Sequence, residues 1–442
     1  MKLDWRKTFL IGFGFLGISI VWQVYNLFVP LFLQGGNPAF QAESGESILG
    51  FGLNATITGA IMTLDNVAAL FILPLIGLWS DRTRTRIGRR YPYILSGAPI
   101  AAIAFVLIPV AAGMITAATS GSVDQNTGAF ALFMIAAGVF LLAMAFFRTP
   151  VIALMPDLTP SPLRSKANGV INLMGGVGGV IATLGLARFF DANHALPFWI
   201  AAGVMIVAIV LLFFSVKEPK EYQTDEEKRE HVQAQEAVRG FRAVPPEYRR
   251  SLIFLLLAIF GWFVGYNAIE TFFTSYAVTT LGITAGTAGT LFSIALVAFI
   301  LFAIPAGYIG TRLGRKRTIT LGLAIFAVLL VIAFFVPNQT IIAMILGIGG
   351  MAWALVNINS LPMVVDITDD PRLLGTYTGF YYFASQLAAI FGPVLNGAII
   401  DLAGRNYNAI FLVTPAFFVL AILAISFVTR GEAHTEEVTA QA

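Results

Sequence analysis

The chain of 442 residues has no cysteine, only three histidines and only 12% charged residues. Without cysteine it can form neither disulfide bonds nor a catalytic thiolate. Soluble globular domains carry about 25% charged residues, so a composition that is 57% hydrophobic excludes an ordinary soluble fold. No Walker pattern occurs, and the histidines at 194, 231 and 434 lack metal-ligand spacing. We therefore expect no ATPase domain, metal, cofactor, enzymatic activity or nucleic-acid partner.

What the chain does contain is a series of long apolar runs. A bilayer core of about 30 Å needs a helix of about 20 residues, and the backbone inside lipid must satisfy its own hydrogen bonds. We therefore predict an all-α membrane protein with twelve transmembrane helices. The predicted spans are 8–34, 53–80, 92–116, 128–154, 167–189, 196–216, 251–278, 287–310, 318–336, 340–364, 375–400 and 409–429.

The placement of basic residues predicts the orientation of these spans. If the N-terminus lies inside, 24 of the 27 Lys and Arg residues fall on the same side, and the outer loops 35–52, 117–127, 280–286 and 337–339 contain none. This is a strong positive-inside pattern. It predicts a multi-pass protein of the plasma membrane with both termini in the cytoplasm, in which the first run is an uncleaved span rather than a signal peptide.

The two halves of the chain repeat one another. At an offset of 230 residues, Gly59, Gly77 and Arg82 match Gly289, Gly307 and Arg312. Such repeats are typical of solute carriers, and they predict two pseudo-symmetric six-helix bundles. The predicted division is an N-terminal bundle (1–216), a cytoplasmic linker (217–250), a C-terminal bundle (251–430) and a cytoplasmic tail (431–442).

Two glycine patterns inside the spans resemble phosphate-binding motifs but have another explanation. Residues 12–17 (GFGFLG) fit the dinucleotide pattern, and residues 175–179 read GGVGG. Both lie inside apolar helices with no preceding strand, so we interpret them as small-residue surfaces for close helix packing.

The most specific motif joins the second and third spans. It reads GLWSDRTRTRIGRR over 77–90, and a shorter form, GYIGTRLGRK, occupies 307–316. The first form resembles the signature loop of the major facilitator superfamily. Extended to Tyr93, and with RTPVIALMPDL at 148–158, it is similar to the glycoside–pentoside–hexuronide:cation symporters and still more to the sucrose/proton symporters. This resemblance covers almost the whole chain and implies alternating access of a sugar or glycoside carrier.

The resemblance also implies a cytoplasmic gate built from the signature loops and nearby helix ends. The alternative is that the arginines serve only as topology anchors. In the second loop Thr311 replaces the expected acid, so the full charge relay is expected only in the first. The candidate gate residues are Gly77, Asp81, Arg82, Gly88, Arg89, Asp157, Arg164, Gly307, Arg312 and Arg315.

Only Asp65, Arg148 and Glu270 are ionisable residues well inside predicted spans. A charge there costs at least a few kcal/mol, so it must be paired, protonated or exposed to a wet cavity. We predict that Asp65 carries the coupling proton, with Arg148 and Glu270 in the same machinery. A fixed Asp65–Arg148 ion pair and no contact at all remain alternatives. Melibiose-type sodium carriers have two aspartates where this chain has Ala69 and Leu73, which favours a proton over sodium.

Sugar recognition needs polar groups for hydroxyls and aromatic faces for the ring. The candidate substrate-binding residues are Gln23, Tyr25, Asn26, Trp262, Tyr266, Asn267, Asn357, Tyr381 and Gln386. The sequence therefore predicts a monomeric, lipid-embedded symporter that imports a disaccharide or related glycoside with a proton. An exporter of sugars or hydrophobic drugs and a non-transporting membrane sensor are the alternatives.

Overall fold

The computed structural model describes residues 3–37, 40, 48–159, 163–218, 244–368, 370 and 373–432. Most of the predicted linker and tail lies outside these residues. Twelve helices in the described part are long and apolar enough to cross a membrane. They are α1 (Trp5–Gln34), α2 (Ala55–Arg82), α3 (Tyr91–Ala112), α4 (Asp124–Leu158), α5 (Lys166–Phe189), α6 (Leu196–Ser215), α7 (Pro246–Thr279), α8 (Ala285–Leu313), α9 (Arg315–Phe335), α10 (Gln339–Val365), α11 (Gly375–Leu402) and α12 (Tyr407–Ser426). The prediction of an all-α fold with twelve spans is confirmed.

Two spans contain irregularities that the apolar pattern does not predict. Helix α2 is divided at Thr63 into Ala55–Met62 and Leu64–Arg82. The Thr63 hydroxyl donates to the carbonyl of Ala60 at 2.9 Å, a side-chain bond that competes with the helix ladder and bends helices. Helix α5 contains a π-helical turn, Ile181–Leu186. Such interruptions of a span often mark functional positions.

The chain forms two compact units, and the first contains residues Met1–Lys220, Glu270–Leu296 and Val394–Tyr407. Its helices approach closely at glycines. A methyl group on Gly178 of α5 would lie 2.6 Å from the Leu16 carbonyl oxygen of α1, and one on Gly17 would lie 3.2 Å from the Met205 Cα of α6. The interpretation of both glycine patterns as helix-packing surfaces is confirmed.

The second unit contains residues Glu221–Ile269, Val297–Pro393 and Asn408–Ala442. Here Gly322 of α9 abuts α10, because an added methyl group would lie 2.6 Å from the Ala352 carbonyl oxygen. The Thr414 hydroxyl of α12 donates to the Gly265 carbonyl of α7 at 3.0 Å. The predicted division into two six-helix bundles at residues 216 and 251 stays a prediction.

Candidate functional site

The first unit brings together polar side chains from α1 and α7. The Asn26 amide donates to the Glu270 carboxylate over 3.4 Å, although 244 positions separate the two residues in the chain. Both side chains are half-buried. A carboxylate inside a span needs such a partner, and sequence analysis had placed these residues in different roles.

Asp65 lies in the same unit at a special position of α2. Because the helix is divided at Thr63, Asp65 falls in the first turn of the segment Leu64–Arg82. The dipole of a helix start favours a negative charge in its first turn. The Asn66 amide also donates to the Asp65 carboxylate at 3.0 Å. The break in the helix therefore creates a local environment for this carboxylate that the apolar pattern hides.

Arg148 of α4 interacts electrostatically with Asp65, and Glu270 acts on the same carboxylate. In the described part of the chain, however, no ion pair within 4.0 Å joins Asp65 to Arg148, and the Arg148 side chain is exposed. The arrangement is thus a loose charge cluster and not a closed salt bridge. Its role in proton coupling stays a prediction.

Aromatic rings of α1 lie beside this charge cluster, since Tyr25 interacts electrostatically with Asp65. Tyr25 is 1% exposed, stacks on Phe140 with ring centroids 5.4 Å apart, and meets Trp22 edge-on at 5.9 Å. The Tyr25 hydroxyl and the Trp22 indole N–H have no hydrogen-bond partner among the described residues. Unpartnered buried polar groups are costly, so they are candidates for bonding a solute or water. Gln23 lies near Gly179 of α5.

The second unit gathers the other predicted aromatic residues on α7, α10 and α11. Tyr266 stacks face to face on Trp353, with centroids 4.1 Å apart and ring planes 4° from parallel. Tyr381 shares a 3.2 Å hydrogen bond with Ser360. Trp262 is fully buried, and its indole N–H has no partner within the described residues. Sequence analysis missed Trp353, although its position one turn before the candidate Asn357 was a usable signal.

The predicted amides of this unit differ in their surroundings. Asn267 packs beside Gly392 of α11, and Asn357 and Gln386 are half-buried. The nearby Asn359, which is not a candidate, is structural, because its amide donates to the carbonyls of Ala306 at 3.1 Å and Leu355 at 2.9 Å.

The first signature loop forms a charge cluster at the end of α2. Arg90, which is 4% exposed, pairs with Asp81 at 2.5 Å and with Asp157 at 2.8 Å, while Arg89 pairs with Asp157 at 2.5 Å. Burial disfavours the Arg90 charge, but the hydrogen bonds and charges of Asp157 and Asp81 outweigh this and raise the pKa of Arg90. Arg90 was not among the predicted gate residues, yet it is the most buried cation of the loop.

Glu218, which follows α6, completes this cluster and was also missed. Its carboxylate accepts from the backbone N–H groups of Arg89 at 2.9 Å, Arg90 at 3.0 Å and Tyr91 at 2.9 Å, so it caps the start of α3. Gly88 has φ +117°, and a methyl group on it would lie 2.5 Å from the Glu218 carboxyl carbon. The turn therefore needs glycine both for its backbone and for its space.

The second signature loop has a reduced version of the same arrangement. Arg315 pairs with Asp366, and Glu432 accepts from the backbone N–H groups of Arg315 at 2.6 Å and Lys316 at 3.1 Å. Thr311 only bonds back to the Tyr308 carbonyl at 2.8 Å. The carboxylate cap after the last span of each half is therefore repeated.

The remaining predicted gate residues are less engaged. Arg82 is exposed, and Arg312 is exposed over the Tyr308 ring, 4.3 Å from its centroid. Gly77 and Gly307 have room for a methyl group, with the nearest atoms 3.9 Å and 3.7 Å away. The Arg164 side chain lies outside the described part of the structure.

The chain is similar in fold to a crystal structure of peptide transporter POT in complex with sulfate, with a TM-score of 0.68 at 14% identity over 96% of this chain and 95% of the other. Its twelve apolar spans define a multi-pass membrane protein. A family model described as MFS/sugar transport protein matches residues 10–429. The chain belongs to this family of the major facilitator type, which confirms the resemblance.

Relatives with different named roles share part of the sequence. Multidrug resistance protein 2 of Bacillus subtilis (strain 168) is 24% identical over 79% of this chain and 81% of its own length. Sucrose transport protein SUC3 of Arabidopsis thaliana is 28% identical over 29% of this chain and 23% of its own length.

Proposed function

We propose that this transporter is a secondary active symporter that imports a disaccharide or related glycoside together with a proton. It would lie in the plasma membrane with both termini in the cytoplasm, act as a monomer and need no cofactor. The observation that carries the proposal is the polar cluster inside the first unit, where Glu270 accepts from Asn26 and Asp65 interacts with Arg148.

The chemistry of this cluster suits a proton carrier. A carboxylate inside a span is retained where it meets water, a cation or a proton. Asp65 interacts electrostatically with Arg148 but forms no ion pair with it, and it lies at the positive end of the helix segment Leu64–Arg82. A change in water access or in the distance to Arg148 would change its affinity for a proton. Sodium is the weaker proposal, because Ala69 and Leu73 hold the places of the expected second-span aspartates.

A sugar as substrate is supported by the family description and by the name of the Arabidopsis relative. It is also consistent with the candidate side chains. In the first unit, Tyr25 and Trp22 offer polar groups without a described partner beside Gln23 and Asn26. In the second, the stacked rings of Tyr266 and Trp353 offer an aromatic surface. Such amides bond hydroxyl groups, while the rings cover C–H faces.

The test is sugar-driven proton uptake in proteoliposomes containing the wild type or Asp65→Asn. We expect the variant to lose proton uptake while it retains exchange of labelled sugar across the membrane. Asp124→Asn is the matched control, because Asp124 is exposed at the start of α4, and this substitution should leave both measurements unchanged. Full proton coupling in Asp65→Asn would reject Asp65 as the proton site. Arg148→Gln extends the test, since full coupling without Arg148 would show that Asp65 does not need this cation to carry the proton.

An exporter of hydrophobic drugs is the second candidate, and it is favoured by the similarity to Multidrug resistance protein 2 over four-fifths of that protein. Counterflow with labelled sucrose, maltose or trehalose separates the possibilities. Exchange of a sugar supports the symporter. Drug flux that sugars do not inhibit supports the exporter. Saturable sugar binding without exchange supports the membrane sensor.

A further inference from the structure

Two aspartates occupy corresponding places in the two repeats, at the ends of α5 and α11. Asp191 lies two residues after α5, and Asp401 is the second-last residue of α11. Their separation of 210 positions continues the repeat, since Asp157 and Asp366 at the ends of the preceding spans α4 and α10 are 209 apart. Neither aspartate was selected by sequence analysis, because both lie at span ends where a charge is inexpensive.

Asp401 binds the start of α2 within the first unit. Its carboxylate accepts from the backbone N–H groups of Ala55 at 3.1 Å and Thr56 at 2.8 Å. The Thr56 hydroxyl donates to the same carboxylate at 2.5 Å. The Asp401 side chain at the end of α11, in the second repeat, therefore binds the N–H groups at the start of α2, in the first repeat.

Asp191 makes the reciprocal contact with the start of α8. Its carboxylate accepts from the Gly286 backbone N–H at 2.7 Å and from the Thr284 hydroxyl at 2.7 Å. Here a side chain from the first repeat binds a helix of the second. At the repeat offset of 230, Gly286 corresponds to Thr56, so the two contacts are equivalent under the repeat.

Close packing of helices accompanies both contacts. A methyl group on Gly397 of α11 would lie 2.3 Å from the Ala55 carbonyl oxygen of α2. A methyl group on Gly289 of α8 would lie 2.6 Å from the Cβ of Ala187. Each carboxylate thus lies near a glycine that lets the two helices approach closely.

These aspartates are not needed as ordinary caps, because both helices already have local ones. The Asn54 side chain accepts from the Ile57 N–H at 2.8 Å, and the Thr284 hydroxyl accepts from the Thr287 N–H at 3.2 Å. The additional bonds from Asp401 and Asp191 connect segments 345 and 95 positions away. Their effect is therefore to hold distant helix ends together.

We propose that Asp191 and Asp401 are paired gating residues that keep the outer ends of α5 against α8 and α2 against α11. Opening the outer side of the transporter separates these helix ends and transfers both sets of N–H groups to water. The inference uses only the transporter class and the orientation proposed above, and it does not depend on the solute or on the coupling ion.

The test uses a buried reporter near the end of α7, which the proposed orientation places on the outer side. Ser275 of α7 is 0% exposed and donates to the Gln34 carboxamide at 2.6 Å. Because the chain has no cysteine, Ser275→Cys gives a single thiol. We expect Asp401→Asn or Asp191→Asn to raise its rate of labelling by an impermeant maleimide in intact cells by about two- to thirty-fold, the range of a lost charged cap. The double variant should give roughly the product of the two effects.

Asp124→Asn is the matched control and should leave the labelling rate unchanged. Labelling is compared only in protein that elutes as a single folded species in detergent, and the two single variants serve as independent tests. A rise in the labelling rate seen only in inverted vesicles would support the gating role of the two aspartates but show that the proposed orientation is reversed. Unchanged labelling from both sides in the folded double variant would overturn the inference.

Discussion

The charge cluster of the first signature loop gives a prediction whose size can be worked from the structure. Asp157 is 11% exposed and pairs with both Arg89 and Arg90. Asp157→Asn keeps the shape of the side chain and removes its charge. Breaking a buried ion pair costs about 3–5 kcal/mol, because the remaining charge is left in a poorly hydrated place.

Two features set the expected cost at the low end of that range. Arg90 retains Asp81 as a partner at 2.5 Å, and the amide oxygen of asparagine can still accept a hydrogen bond from the arginines. We therefore expect Asp157→Asn to lower the free energy of unfolding by about 3 kcal/mol. Arginine is not deprotonated in proteins, so raising the pH within the range where the protein is folded should not remove the penalty.

The measurement is denaturant unfolding of the purified protein in detergent, with Asp124→Asn as the control for the same chemical change at an exposed site. A double-mutant cycle with Arg90→Gln isolates the pair, and we expect the double variant to lose less than the sum of the single variants. A loss below about 0.5 kcal/mol for Asp157→Asn, the size of an ordinary surface substitution, would refute the view that this cluster stabilises the fold.

Three other substitutions have distinct expected effects on the same unfolding measurement. Gly88→Ala should destabilise the protein by about 1–3 kcal/mol, because φ is +117° and the methyl group would meet Glu218. Gly203→Ala on α6, where the added methyl group has nothing within 4 Å, should instead stabilise it by roughly 0.5–1 kcal/mol. Equal effects at the two glycines would contradict this reasoning. Asn359→Ala should cost about 1–3 kcal/mol, since it leaves a buried carbonyl of Ala306 without its donor, and an unchanged stability would show that this bond contributes nothing.

Much of the fold followed from the sequence because a bilayer leaves few choices. Apolar runs of the right length must be helices, so span number and approximate ends could be predicted. The glycines at 12–17 and 175–179 could be read as packing surfaces for a similar reason, since only small residues let helices approach so closely.

The candidate site was harder to predict than the spans. A scarce charge inside an apolar run is conspicuous, and for this reason Asp65, Arg148 and Glu270 were found. Four carboxylates near span ends were not found, because a carboxylate at such a place looks like an ordinary surface residue in the sequence. They are Glu218, Glu432, Asp191 and Asp401.

By itself, the sequence determined that this protein lies in a lipid bilayer and how many helices span it. It also determined which few ionisable residues lie within the spans, because each of these features depends on local composition. Only the tertiary structure decided which carboxylate meets which helix start: Glu218 at α3, Glu432 at α9, Asp401 at α2 and Asp191 at α8. Those pairings join residues 95 or more positions apart, and they depend on the folding of whole helices against one another. The break in α2 at Thr63 was also decided only by the tertiary structure, since a threonine hydroxyl bends a helix or leaves it straight according to the backbone around it.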